Sequence, residues 1–155
     1  MSLGHFLANR FLYSFRHMRQ GPRIPNEFVF AMGGWADRKL GVSDGPTNLI
    51  DKFGNEKFDW QAIRKMPRPR AYHGLEVVDQ TVYVFGGFNR DTSPLGQNRA
   101  VYLNDLMAFD LNKQTWKAMD EMLEPRCYIA ATVLNGCIYA MGGFNGEGRL
   151  RSVER

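Results

Sequence analysis

The chain contains a copy of itself. Gly86-Gly87-Phe88-Asn89 returns as Gly142-Gly143-Phe144-Asn145, and the same step of 56 residues carries Trp60 onto Trp116, Pro69-Arg70 onto Pro125-Arg126, Tyr72 onto Tyr128 and Tyr83 onto Tyr139. A third glycine pair, Gly33-Gly34, stands earlier in the chain. Repeats of roughly 40 to 50 residues that carry a double glycine and a tryptophan mark a β-propeller, in which each repeat is one four-stranded blade. A chain built this way points to surface recognition rather than catalysis.

The middle copy predicts the blade. Arg70 to Val78 reads as a first strand, Asp79-Gln80 as a reversal, and Thr81 to Phe85 as a second strand that stops at the glycines. The next copy repeats the hairpin with Asn135-Gly136, the pair that most readily takes the positive φ angles of a type I′ turn. After the middle glycines, Phe88 to Tyr102 reads as a long polar loop. Leu103 to Asp110 then gives a third strand, Leu111 to Gln114 a turn, and Thr115 to Met119 a fourth. In the first copy Phe28 to Gly34 is a second strand, residues 35–46 a loop, and residues 47–53 and 58–63 the remaining strands; no first strand of its own is expected. The blades fall at about 23–65, 66–120 and 121–155, the last cut short. An all-β fold of about two and a half blades is expected, which is too few to close a ring of four or more. The sequence is therefore expected to be a fragment, a truncated product or an open arc that pairs with another chain.

Composition removes several function classes. The net charge is +4, yet residues 1–26 hold four arginines and no acid. Setting those four aside leaves 16 basic against 16 acidic residues, so the repeats carry no global basic bias and nucleic acid is not an expected partner. No apolar stretch reaches the length of a membrane span, so no membrane partner is expected. The two cysteines, Cys127 and Cys137, and the absence of a secretory h-region fit a reducing, cytoplasmic setting. Neither cysteines nor the histidines His5, His17 and His73 show metal-ligand spacing, so no metal and no cofactor is expected. No nucleophile with a neighbouring base is suggested either, and no catalytic residue is assigned. Residues 1–22 read as a basic leader or linker: Leu7, Phe11, Phe15 and Met18 at helical spacing, with arginines between, predict an amphipathic helix. A mitochondrial transit peptide is the alternative for such a start.

The double glycine after a hydrophobic strand, Phe109-Asp110 near the end of the third strand, the spaced tryptophan and the runs MPRPRAYHG at 66–74, EMLEPRCYI at 121–129 and PRIPNEFVFAMGGW at 22–35 resemble the kelch repeat of the kelch-like family. The resemblance covers about Arg23 to Arg155. It implies a partial kelch-type β-propeller. Members of this family pair six such repeats with BTB and BACK domains that dimerise and bind Cullin-3, while the propeller selects proteins for ubiquitination. No BTB or BACK sequence precedes Arg23 and at most three repeats are present, so Cullin-3 is an expected partner only of a longer form. Gly54 also stands where the pattern has an Asp after Phe53.

Binding surfaces on rigid β scaffolds are built from loops, which places candidates just after each glycine pair and just before each first strand. By the resemblance, the partner-binding positions lie one and three residues past the glycines and two past the Pro-Arg. Here these are Trp35, Asp37, Phe88, Arg90, Phe144, Gly146, Tyr72 and Tyr128. An aromatic collar with isolated charges suits a protein or peptide anchor, because rigid rings give large contact area at modest entropic cost. Gly33, Gly34, Gly86, Gly87, Gly142 and Gly143 are read as backbone geometry rather than a phosphate loop, and Trp60 and Trp116 as packing between blades. The leading expectation is a non-enzymatic interaction module resembling the substrate-recognition propeller of a Cullin-3 ubiquitin ligase adaptor. Actin or cytoskeletal binding is the second, and a propeller enzyme the third.

Overall fold

The computed structural model describes residues 11–16, 27–36, 44–54, 59–95 and 97–155, and no helix occurs among them. The first sheet is built from β1 (Phe11–Arg16), β2 (Glu27–Met32), β3 (Trp35–Ala36), β4 (Gly45–Gly54) and β5 (Asp59–Arg70). Its main path runs β1-β2-β4-β5, with the short β3 pairing only the first residues of β4. The second sheet runs β6 (Gly74–Val78), β7 (Thr81–Phe85), β10 (Leu106–Asp110) and β11 (Thr115–Ala118), with the ribbon β8 (Phe88–Asp91) and β9 (Arg99–Tyr102) inserted after its glycines. The third is β12 (Ala130–Leu134), β13 (Cys137–Met141) and β14 (Val153–Glu154). All pairings are antiparallel. The protein is a partial β-propeller, two four-stranded blades and the start of a third.

Several expectations change: the ends of the expected loop at residues 35–46 pair as Trp35↔Pro46 and Ala36↔Gly45, and the strand expected from Leu103 begins at Leu106. Phe11–Arg16 is a strand, not part of a helix, and pairs residue for residue with β2 from Phe11↔Met32 to Arg16↔Glu27. The first blade thus has the first strand that its sequence hid. Phe11, Tyr13 and Phe15 also alternate as a strand's residues would, and an open edge of β2 favours that period over the helical one. The stretch from Phe88 to Tyr102 is not simply a loop: its ends pair as β8 and β9, Phe88 opposite Tyr102 and Asp91 opposite Arg99. Finally, Arg70 closes β5 instead of opening β6, whose first residue is Gly74.

The repeat is reproduced bond by bond. Gly33, Gly86 and Gly142 donate their N–H to the carbonyls of Leu49, Asp105 and Ser152 at 2.9, 3.0 and 3.0 Å. Gly34, Gly87 and Gly143 accept from the N–H groups of Thr47, Leu103 and Leu150 at 2.9, 2.9 and 2.8 Å. The Asn135-Gly136 turn has φ of 51° and 74°, the two positive angles a type I′ turn requires.

Packing between blades follows from the strand period of two. On β2, Phe30 and Met32 face the second sheet; on β7, Val82 and Val84 face back. Together with Ile50, Met66, Leu75 and Phe109 they form one buried cluster, with Trp116 packed against it. The Trp116 indole packs tilted against Phe109, centroids 4.8 Å apart, and donates Nε1–H to the Lys65 carbonyl of the first blade at 3.1 Å. Trp60 repeats the ring pair with Phe53 at 5.4 Å.

Candidate functional site

The ends of the strands at the glycine pairs carry a continuous set of rings. The fold creates it by pairing each Pro-Arg segment with the next glycine segment: Ala71 and Phe88 exchange both backbone hydrogen bonds at 2.9 Å, and Cys127 and Phe144 do the same. Tyr72 and Tyr128, one residue further on, are thereby set beside Phe88 and Phe144. Both tyrosines sit at positive φ, 53° and 54°, a conformation non-glycine residues seldom adopt. The Tyr128 N–H donates to the Tyr72 carbonyl at 2.9 Å, linking adjacent blades at this point.

Tyr72 stacks on Phe88, with centroids 5.5 Å apart and planes 14° from parallel, and meets Tyr128 at 4.6 Å. Phe88 also touches Trp35 of the first blade at 5.9 Å. The Arg90 guanidinium lies 4.6 Å over the Trp35 ring, a cation–π arrangement. The Trp35 indole N–H is held by the Asp44 carboxylate at 2.7 Å. Tyr102 joins the two halves, 6.2 Å from Phe88 and 5.6 Å from Phe144. Most of these rings are half-buried against one another, while Tyr128 is 59% exposed and stands out from the face.

Six of the eight sequence candidates, Trp35, Tyr72, Phe88, Arg90, Tyr128 and Phe144, are thus in one network. Gly146 adjoins it differently: a Cβ there would come within 2.6 Å of the Tyr102 ring, so the glycine leaves room for that ring. Asp37 lies outside the described residues. The residue that sequence reasoning missed is Tyr102. It falls at the far end of what reads as a polar loop, and only the β8–β9 pairing places it across from Phe88.

Below the rings, the buried arginines tie the blades. Arg70 is 1% exposed and grips both Asp105 oxygens, at 2.8 and 2.6 Å, while its Nη1 also donates to the Gly86 carbonyl at 3.0 Å. Arg126 repeats the bond to Gly142, at 3.0 Å, but Ser152 and Glu154 replace the single aspartate. His73, immediately before the start of β6, is fully buried. Burial, and after it the Arg70 charge, pushes its pKa down to about 3. Among the described residues no group of three or more His, Cys, Asp or Glu converges as a metal site. No helix among them is long and apolar enough to cross a membrane.

The kelch motif matches residues 69–123 and 125–155, together more than half of the chain. This chain is a kelch-repeat protein of the kelch-like family. It is 31% identical over 141 residues to a kelch repeat-containing protein, kel-10, of Caenorhabditis elegans, a match that covers 85% of this chain and 22% of that protein. A kelch repeat and BTB domain-containing protein of the same organism, F47D12.7, is 30% identical over the same coverage. Human kelch-like protein 28 is 28% identical over 147 residues, 95% of this chain and 25% of the relative. The kelch region described here therefore spans about a quarter or less of the relatives it matches. Kelch repeats of this kind form protein-interaction modules, and the ring face lies on such a module.

Proposed function

We propose that this chain is the partner-recognising part of a kelch-like protein and that its ring face grips an extended segment of another protein. The observation that carries the reading is the unbroken aromatic network from Trp35 through Phe88 and Tyr72 to Tyr128, reaching Phe144 through Tyr102 across three sheets. Rings braced by one another lose little side-chain freedom on binding, and the Arg90 guanidinium adds a charged donor at the rim. Asp37 belongs to the same proposed set by its place in the repeat.

In a longer form, the role is that of a substrate adaptor for a Cullin-3 ubiquitin ligase in the cytoplasm. A BTB-bearing relative supports this extension, and Cullin-3 contact would belong to BTB and BACK regions rather than to the ring face. The proposed module is non-enzymatic: it holds a protein and leaves chemistry to the ligase.

The test is selection of binders from a displayed peptide library on the 155-residue chain, followed by calorimetry on Tyr72→Ala/Tyr128→Ala. Loss of two anchor rings should weaken the selected peptides about a hundredfold, with the circular dichroism spectrum unchanged. Peptides that bind the folded double variant as tightly as the wild type, or a library that yields no binder, would sink the reading.

A further inference from the structure

The second blade carries an arm that the third lacks. In both, the carbonyl of the second glycine accepts from a leucine N–H, Leu103 at Gly87 and Leu150 at Gly143. The third blade makes this connection with residues 144–149, the second with residues 88–102. The added length pairs as β8 and β9 and carries its tip, Thr92 to Leu95, into solvent. Leu95 is 94% exposed, and Thr92, Ser93 and Pro94 are exposed with it. The arm belongs to the middle blade, which hydrogen bonds join to the first sheet at Lys65 and to the third segment of the repeat at Arg126 and Tyr128.

The tip is a Ser-Pro step. Proline biases the residue before it toward extended backbone and leaves no N–H just after the hydroxyl, the form in which a proline-directed protein kinase takes its acceptor. One neighbour holds the serine: its N–H donates to Asp91 Oδ1 at 3.0 Å, and its hydroxyl bonds the same carboxylate. The two bonds, the hydroxyl first, hold the Asp91 carboxyl below the ordinary carboxylate range. Beside the tip lies an open depression of about 650 Å³, lined by Ser93 and by two arginines from different blades, Arg68 of the first and Arg90 of the second. Arg68 is exposed, and the Arg90 guanidinium rests over Trp35.

We propose that Ser93 is a phosphorylation site for a proline-directed kinase and that Arg68 and Arg90 hold the phosphate. The γ-phosphoryl group of ATP passes to Ser93 Oγ: an O–P bond forms there, the bond from the γ-phosphorus to the β–γ bridging oxygen breaks, ADP leaves, and the hydroxyl proton goes to the kinase. Phosphoserine brings about −1.5 to −2 charges and three acceptor oxygens. It cannot keep Asp91 as a partner, because the hydroxyl hydrogen is gone and the two anions repel. Arginine forks pair with phosphate in bidentate geometry, and both arginines of the depression are in place to do so. A doubly charged acceptor draws a guanidinium more strongly than the face of a ring does. Phosphorylation therefore lifts Arg90 off Trp35 and ties the arm to the first blade through Arg68.

The whole 155-residue chain, incubated with a proline-directed kinase and MgATP, should take up one phosphate, mapped to Ser93 by mass spectrometry and absent from Ser93→Ala. Pro94→Ala should be modified roughly tenfold more slowly or worse. In phosphorus NMR the second pKa of the phosphate should lie about half a unit or more below that of a phosphopeptide spanning residues 88–99, and the double variant Arg68→Ala/Arg90→Ala should bring it back. The Trp35 indole N–H signal, identified by its loss in Trp35→Phe, should shift when the wild type is phosphorylated and stay in place in Arg90→Ala. None of these readouts needs a ring-face partner. A folded chain left unlabelled, uptake unchanged in Ser93→Ala, a phosphate that titrates as it does in the peptide, or an unmoved Trp35 signal would each overturn the proposal.

Discussion

Arg70 and His73 are three residues apart, both fully buried and both polar, and the blade junction treats their charge in opposite ways. Arg70 keeps its charge, with both terminal nitrogens on a bidentate carboxylate and Nη1 also on a carbonyl. His73 stays neutral: burial and the adjacent Arg70 hold its pKa near 3, against the pull of Asp105 and the Met32 backbone. An unfolded histidine takes up its proton near pH 6.5. The folded pKa lies below the unfolded one, so the contribution of His73 is complete above about pH 6.5 and declines as the pH falls toward the folded value. Ile129 occupies the corresponding place, its Cδ1 against Gly86 as the His73 Cε1 is against Gly33. His73→Ile should therefore keep the packing and remove the proton linkage. Between pH 7 and pH 5 in urea denaturation, the wild type should lose about 2 kcal/mol more stability than the variant. Equal losses would mean that other groups carry the acid sensitivity.

Each blade ends its second strand on a glycine pair, but the pairs are not equally packed. Gly86 and Gly142 share nearly the same φ, 61° and 62°. A Cβ on Gly86 would lie 2.5 Å from the Arg126 carbonyl, whereas one on Gly142 would meet only the Leu150 carbonyl at 3.4 Å. The strain of a positive φ is common to both; the clash belongs to Gly86 alone. Gly86→Ala should cost at least about 2 kcal/mol more than Gly142→Ala in thermal or urea unfolding, since backbone must move to admit the methyl. Similar costs would show that φ, not the next blade, is what the glycine answers to. The hairpins flanking these glycines were legible because Asp79-Gln80 and Asn135-Gly136 interrupt runs of period two. The Phe11–Arg16 strand was not, because its aromatic residues satisfy helical spacing as well, and only the neighbouring edge of β2 decides between them.

For the molecule as a whole, order of stability follows the placement of the core. The buried cluster lies between the first and second sheets. In the third sheet β12 alternates exposed and half-buried residues, and Leu134 is 57% exposed. Regions with little buried apolar surface open at lower free energy. Amide hydrogen exchange should leave β7 and β10 protected longest and release β12 and β13 first. A third sheet as slow to exchange as the second would show that the molecule opens as one unit.

The glycine pairs, the tryptophans and the Pro-Arg-x-Tyr spacing determined by themselves that this is a propeller built of repeated blades, because each marks a backbone geometry or a packing position that recurs once per unit. They also placed Trp35, Tyr72, Phe88, Tyr128 and Phe144 at equivalent positions. Tertiary structure alone decided that those positions touch, since contact depends on the pairing of Ala71 with Phe88 and Cys127 with Phe144 across the blades. It alone brought in Tyr102, whose place is set by cross-strand register, and buried His73, whose surroundings come from segments 40 residues and more apart in the chain, at Met32 and Gly33. Periodicity is a local property of the chain and can be read along it; the meeting of rings from three sheets is not, and exists only once the sheets are packed.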